Sequence, residues 1–247
     1  MKISAIILTK NEEKRIEKTI RSLSFCDEVV VIDDVSTDGT VERAKEMGAT
    51  VHIHEKNKTF SGQRNFAMEK ATNEWILFVD ADEEVSEELK REILHLKTDE
   101  VTAYSLPRRD FFWGHEMKYG ETKKVRNEGI VRLMKKESGV WVGLVHERFV
   151  SSQKSVKLNG FLNHYSHDSV SSFIEDVNNY STIRSEELFK TGTRVSGLEL
   201  ILYPFGKFIY TYFFLCGFLD GPAGFVYSFI MSFHSFLVRA KLHTHYV

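Results

Sequence analysis

Four short apolar runs, at residues 3–8, 29–32, 51–53 and 75–79, constrain this chain more than any other feature. They are rich in Ile, Val and Leu and too short for helices, as expected of strands buried on both faces of a parallel sheet. Helical patterns separate them. Ile16, Ile20 and Leu23 recur at helical spacing, and Ser36-Thr37-Asp38-Gly39-Thr40 offers N-cap residues before Val41, Ala44 and Met47, with a stop at Gly48. A third helix is read over 61–71, and Ser86 is placed to cap a fourth that carries Leu89, Ile93, Leu94 and Leu96. This alternation predicts a doubly wound α/β sheet. Ligands of such sheets bind beyond the carboxyl ends of the strands. Here those ends read Thr9-Lys10-Asn11-Glu12, Asp33-Asp34 and Asp80-Ala81-Asp82.

The texture changes along the 247 residues. Short β-like pieces follow at 103–106, 111–113, 130–134 and 140–142. Beyond Asp168 the pattern is helical, with Phe173, Ile174, Val177, Tyr180 and Ile183 on one face. Thirteen of the 28 Phe and Tyr residues fall within 203–236, so the end of the chain is expected in a different environment from the rest. A formal net charge of −2 leaves no basic stripe able to neutralise several phosphates, which argues against nucleic-acid binding. Cys26 and Cys216 form no metal or disulfide framework and fit a reducing compartment. The first apolar run meets charged residues at once, so the chain is expected to begin with a strand and not an export signal.

Two carboxylates after a buried strand, Asp80 and Asp82, can hold a hard divalent cation, Mg²⁺ or Mn²⁺, that bridges diphosphate oxygens. The competing reading is an Asp-rich turn that merely caps the next helix. Other phosphate and hydrolytic chemistries lack their motifs. No G-x-x-x-x-G-K-[ST] occurs, no G-x-G-x-x-G follows the first strand, and no G-x-S-x-G is found. His115-Glu116 and His146-Glu147 have Tyr119 and Val150 where a zincin needs its second His. His52-x-His54 and His243-x-His245 read as strand-face and tail residues.

The blocks Ile6-Ile7-Leu8-Thr9-Lys10-Asn11-Glu12-Glu13, Val31-Ile32-Asp33-Asp34-Val35-Ser36-Thr37-Asp38-Gly39-Thr40, Gly62-Gln63-Arg64-Asn65 and Trp75-Ile76-Leu77-Phe78-Val79-Asp80-Ala81-Asp82-Glu83 stand in one order over residues 1–150. In that order they resemble family 2 glycosyltransferases, and most nearly the bacterial subgroup similar to lipopolysaccharide-core β-1,4-glucosyltransferases. Val145-His146-Glu147 followed by aromatic amphipathic helices extends the resemblance. Asp34 departs from the subgroup, where serine is commoner, and agrees with the wider family.

The resemblance implies a GT-A fold, a Rossmann-like doubly wound mixed sheet with a C-terminal helical, aromatic-rich appendage. It implies inverting transfer from a nucleotide sugar, with a catalytic domain over 1–165 and a helical region over 166–247. Thr9, Asn11 and Glu12 would line the nucleoside pocket, and Asp33 or Asp34 would meet the base. Arg64 would approach the nucleotide or diphosphate, Asp80 the ribose, and Asp82 with Asp80 the cation. Inversion needs a base opposite the leaving nucleotide. Glu147 is the choice for that role, with His146 beside it to orient it or meet the acceptor. Asp110, after Arg108-Arg109, is the second choice, and a surface ion pair with Arg148 is the bland reading of Glu147.

Residues 198–219 and 223–238 are aromatic, with Glu199, Pro204 and Lys207 in the first and His234 in the second. About 20 unbroken apolar residues are needed to span a bilayer, so helices lying in the membrane interface fit better. Asp220-Gly221-Pro222 would join them as a hairpin. Packing on the α/β domain, or against a second copy, competes with that reading. The function expected is transfer of a sugar such as glucose from a UDP-sugar to a cell-envelope glycan or glycolipid such as lipopolysaccharide core. The site would be cytoplasmic, on the inner face of the cytoplasmic membrane. A sugar-phosphate nucleotidyltransferase and a non-catalytic membrane-associated scaffold are the alternatives.

Overall fold

A computed structural model describes residues 1–55, 60–97, 100–143, 147–167 and 169–246. The elements run β1 (Ile3–Thr9), α1 (Ile16–Ser22), β2 (Glu28–Asp33), α2 (Thr40–Glu46), β3 (Thr50–Ile53), α3 (Phe60–Lys70), β4 (Trp75–Asp80), β5 (Glu83–Val85), α4 (Glu87–Leu94) and β6 (Ala103–Leu106). Then come β7 (Arg108–Phe112), β8 (His115–Met117), α5 (Lys123–Glu128), β9 (Ile130–Lys135), β10 (Gly139–Val142), β11 (Arg148–Ser151), β12 (Val156–Lys157) and β13 (Leu162–His167). Three helices close the chain: α6 (Val170–Lys190), α7 (Gly197–Ile209) and α8 (Gly221–Thr244). Two compact units result, one of residues 1–108 and 127–164, the other of 109–126 and 165–247. The second unit thus includes a segment from the middle of the sequence as well as the C-terminal helices.

In the first unit a seven-stranded sheet has the order β12-β6-β9-β4-β1-β2-β3. β4, β1, β2 and β3 are parallel, β9 runs against β4 and β6, and β12 is parallel to β6. This is the mixed α/β sheet that the sequence pattern predicts. Strand side chains alternate between faces, so unbroken apolar runs are what two covered faces require. Ile3, Ala5, Ile7, Val31, Leu77 and Val79 pack with Ile16, Ile20 and Leu23 near α1, Ala44 of α2, and Leu89 and Ile93 of α4. Ile6, Val30, Ile32, Ile76 and Phe78 pack on the opposite face with Ala67 and Met68 of α3 and with Trp141. Ser86 caps α4 by accepting from the Leu89 N–H, and Gly48 ends the turn after α2 with φ +82°. Leu94 faces solvent, because the covered stripe of α4 is the Leu89–Ile93 row.

The second unit is mainly helical and also holds β8 and most of β7. α6 opens on a reciprocal Ser169–Ser172 capping box. Its buried row is Phe173, Val177, Ser181 and Ser185, at a spacing of four, while Ile174 and Tyr180 are exposed, contrary to the sequence reading. The narrower stripe has a physical reason: serines in the last two positions let α8 approach closely, and Lys241 of α8 donates to Asn178 O and Ser181 Oγ. Phe112, Met117, Phe173, Val177, Ala223 and Ile230 form this unit's core.

α7 and α8 do form a helical hairpin, but the reversal comes earlier than the Asp220-Gly221-Pro222 turn. A π-helical turn at Tyr210–Phe214, left-handed Cys216 and a 3₁₀ turn at Gly217–Asp220 make it, and Pro222 lies in the first turn of α8. The corner is tight, since a Cβ on Gly224 would stand 2.0 Å from the Gly217 carbonyl oxygen. Asp220 is buried, and its carboxylate accepts the Lys118 and Tyr119 N–H groups at 3.1 and 2.9 Å. No residue of α7 is buried, and Ile201, Phe205, Phe214 and Phe229 are among the exposed side chains of the hairpin. Among the described residues one helix, 217–244, is long and apolar enough to cross a membrane.

Candidate active site

The site is built at the carboxyl ends of β1, β2 and β4. Register pairs Thr9 with Asp33, and the Asp34 N–H donates to the Thr9 carbonyl at 2.9 Å. Asp33 is fully buried; one carboxylate oxygen accepts the Ser36 N–H at 2.8 Å and the other has no hydrogen-bond partner. The buried Thr9 hydroxyl also lacks one. Asp34 lies 3.1 Å from the Lys10 ammonium.

The turns after both strands are strained. Asn11 and Val35 have φ of +56° and +54°, a region unfavourable for a β-branched residue, and such outliers concentrate at functional sites. Asn11 is held by Ser36 Oγ at its N–H and by the Thr37 N–H at its side-chain oxygen. The Glu12 N–H donates to Thr40 Oγ1, while its carboxylate pairs with Arg15 at 3.2 Å. Just beyond β3, His54 stacks on Phe66 with ring centroids 3.8 Å apart, and its buried Nδ1 has no hydrogen-bond partner.

β4 delivers Asp80 into a pair of arginines. Arg64, from α3, donates through Nη2 to Asp80 Oδ1 at 3.0 Å, and Arg132, from β9, binds both Asp80 oxygens. Arg64 is only 3% exposed, with its guanidinium 5.1 Å from the Phe78 ring centroid and 4.9 Å from that of Trp141. A charge so enclosed is tolerable only when paired, and stacking on two rings adds cation–π attraction. Its Nε donates to Glu147 at 3.0 Å, while Nη1 and the Nε of Arg132 have no hydrogen-bond partner. The fully buried Glu83 accepts the Asp80 N–H and lies 3.7 Å from Arg132 and 3.6 Å from Arg108.

Burial by itself would raise the Asp80 carboxyl; Arg132 and Arg64 reverse that and hold it well below the usual carboxylate range. Asp82 faces His164 of β13 at 3.3 Å, and His164 likewise overcomes burial to keep that carboxyl low. The turn between the two aspartates is pinned by the Thr19 hydroxyl, which donates to Ala81 O at 2.8 Å.

Thus Arg64, Asp80 and Glu147 come together, Asp82 meets His164, and Thr9, Asn11, Asp33 and Asp34 share the linked strand ends. Glu147 pairs with Arg64, in place of the Arg148 partner of the bland reading. Asp110 is buried in β7 of the other unit. His146 and Val145 lie outside the described residues. Sequence reasoning missed Arg132 and His164. The one available signal for Arg132 was a lone arginine inside the apolar strand Ile130-Val131-Arg132-Leu133-Met134. His164 had none.

Among the described residues no three His, Cys, Asp or Glu side chains converge as a ready-made metal cage. Both Asp80 oxygens are engaged by guanidinium donors, and Asp82 Oδ2 and His164 Nε2 engage each other at 3.3 Å. Mg²⁺-type ions commonly use one or two carboxylates and take the remaining ligands from water and phosphate, and imidazole suits Mn²⁺-like transition ions. A divalent cation here would take Asp82 as a carboxylate ligand and would have to part it from His164.

Residues 4–151 match the family model described as "Glycosyl transferase family 2". An uncharacterized glycosyltransferase of Rickettsia typhi is 34% identical over 258 residues, covering 98% of this chain and 86% of the relative. The lipopolysaccharide core biosynthesis glycosyltransferase LpsC of Rhizobium meliloti is 29% identical over 255 residues, covering 98% of this chain and 92% of the relative. Among solved structures, mannosyl-3-phosphoglycerate synthase from Rubrobacter xylanophilus aligns with a TM-score of 0.52 at 16% identity, covering 80% of this chain and 78% of that one.

Proposed function

This chain belongs to glycosyl transferase family 2 and is a glycosyltransferase; from that premise we propose that it transfers a sugar such as glucose, with inversion, from a UDP-sugar to a cell-envelope glycan or glycolipid. The observation that carries the donor reading is a set of buried polar atoms without partners at one edge of the sheet: Thr9 Oγ1, Asp33 Oδ1, Arg64 Nη1 and Arg132 Nε. Buried polar groups are nearly always satisfied, so these four atoms, on strand-end residues or on the arginines that meet Asp80, suit a polar ligand that completes them. Thr9, Asn11, Glu12, Asp33 and Asp34 bind the nucleoside, Arg64 the diphosphate and Asp80 the ribose. Asp82, with His164 beside it, would hold the cation, which when bound would offset charge on the departing diphosphate.

Glu147 acts as the base. It accepts the proton of the acceptor hydroxyl as that oxygen forms its bond to the anomeric carbon and the bond to the UDP oxygen breaks. Similarity to LpsC supports lipopolysaccharide core as the acceptor class. The exposed aromatic hairpin supports peripheral contact with the cytoplasmic face of a membrane, where such an acceptor is reached. The same exposed face also suits a second copy of the chain, so oligomeric state is measured alongside lipid binding.

UDP release from UDP-sugars, with and without Mn²⁺, tests the reading. A nucleotidyltransferase would instead need a nucleoside triphosphate and release pyrophosphate, and a scaffold would release nothing. Glu147→Gln is expected to bind UDP no more weakly than wild type and to lower transfer by about two powers of ten or more; retained turnover removes Glu147 from the role.

A further inference from the structure

Arg64 serves three directions with one charge. Nη2 holds Asp80, Nε holds Glu147, and Nη1 is buried with no hydrogen-bond partner. Asp80 is hydrogen-bonded by a second cation, Arg132, whereas among the described residues Glu147 is hydrogen-bonded by Arg64 and feels the charge of Arg132 only at longer range. The hairpin of β10 and β11, with Glu147 immediately before β11, is fastened to α3 around this point. Asn65 Nδ2 donates to Trp141 O at 3.0 Å, the Trp141 N–H donates back to Asn65 Oδ1 at 2.9 Å, and Ser61 Oγ donates to Gly143 O. Trp141 in turn covers the guanidinium. Arg64 is therefore fixed from both sides, and what can move is the carboxylate on its Nε.

We propose that Arg64 is a positioning residue that couples occupation of the diphosphate subsite to release of Glu147. The proposal rests on the reading of Glu147 as base and of the donor as a nucleoside diphosphate sugar. A phosphoryl oxygen that takes Nη1 becomes a third anion on one cation. Repulsion among the three then falls on the weakest-held partner. Asp80 keeps Arg132, so Glu147 yields and turns to the acceptor hydroxyl. Before the donor arrives, the base is held in an ion pair and the site is idle; afterwards it is available. Donor binding is thereby placed ahead of proton abstraction.

Coupling of this kind is reciprocal: if the anion weakens the Arg64–Glu147 pair, abolishing the pair must strengthen the anion's binding by the same factor. Calorimetric titration of UDP and of inorganic pyrophosphate, with Mg²⁺, is made on the full chain as wild type, Glu147→Gln, Arg64→Lys and the double variant. Glu147→Gln is expected to bind both anions about fivefold or more tightly. In the Arg64→Lys background, where no three-way fork exists, the same change is expected to have little effect. Unchanged or weaker binding of both anions in Glu147→Gln overturns the proposal, as does equal tightening without Arg64, which would be simple removal of a negative charge. Amide exchange along β11 gives a readout independent of the lysine variant: pyrophosphate is expected to raise it in wild type, and no change overturns release of Glu147. Tightening of pyrophosphate alone leaves the coupling standing and removes the uridine donor. Full transfer activity in Glu147→Gln removes the base assignment, while the affinities still decide the coupling.

Discussion

Phe78 lies fully buried beneath the guanidinium of Arg64 in the first unit, whereas Phe214, at the turn that ends α7 in the second, stands 72% exposed. The first unit hides apolar strands between helical layers and also hides charge: Asp33, Arg64, Glu83 and Arg132 are all buried. The second unit displays its aromatics, and within 208–238 its one carboxylate or strong cation is Asp220, buried against two backbone N–H groups. One arrangement buries paired polar groups together with donors that lack a hydrogen-bond partner. The other leaves large apolar side chains such as Ile201, Phe205, Phe214 and Phe229 exposed. The difference teaches that composition and placement are separate variables, since both units have a buried apolar core and the second also leaves many of its aromatics exposed.

That contrast can be broken or sharpened by substitution. Phe78→Ala removes a ring from the sheet core and from beneath Arg64, and is expected to cost about 3–5 kcal/mol in urea unfolding. A loss near zero would show that the first unit is not packed as described.

Gly224→Ala forces the α7–α8 corner apart against a carbonyl oxygen and is expected to cost about 1–3 kcal/mol. Unfolding of the full chain with separate probes in the two units would show whether the loss stays in the second.

Asp80 gives a pH signature confined to the first unit. Its folded carboxyl lies below the ordinary value, so its contribution to stability is fully present above about pH 4 and is lost as pH falls toward the folded value. The stability gap between wild type and Asp80→Asn should hold from about pH 6 to about pH 4 and narrow as pH falls further, as followed by thermal melts. A gap that widens on acidification contradicts the arginine clamp.

Phe214→Ser should change stability by no more than about 0.5 kcal/mol, because an exposed ring has little native packing to lose. Combined with Phe229→Ser, it should weaken sedimentation with anionic liposomes or, if a second copy covers the face, lower the mass measured by light scattering. Unaltered behaviour in both assays would leave the aromatic face without a role in binding.

Much of the first unit was legible because local pattern and tertiary role coincide there. Runs apolar at every position can satisfy only a two-faced sheet, and β1, β2, β3 and β4 lie where those runs place them. Ser86 caps α4 because a short hydroxyl can accept from an N–H three residues on, a relation contained within one turn. Thr9, Asp33 and Asp80 were found because parallel strands end together at one edge. Arg132 and His164 were not, since they approach Asp80 and Asp82 from 52 and 82 positions further along the chain, on strands with no pattern of their own. The pairing of Glu147 with Arg64 is likewise remote, whereas Arg148 is its neighbour only in sequence.

The aromatic hairpin marks the same boundary from the other side. The sequence by itself determined that 198–238 is helical, apolar and broken near Asp220, because periodicity, Pro and Gly act within a few residues. Which faces of those helices are covered was decided only in the tertiary structure. A helix apolar over most of its circumference has no periodic signal to say which stripe meets α6 and which meets the surroundings. So too for the site: the sequence determined which acidic and basic residues stand at strand ends. Only the fold decided that two arginines share one aspartate and that one of them also holds Glu147, because charge pairing depends on distances that strand order and register set.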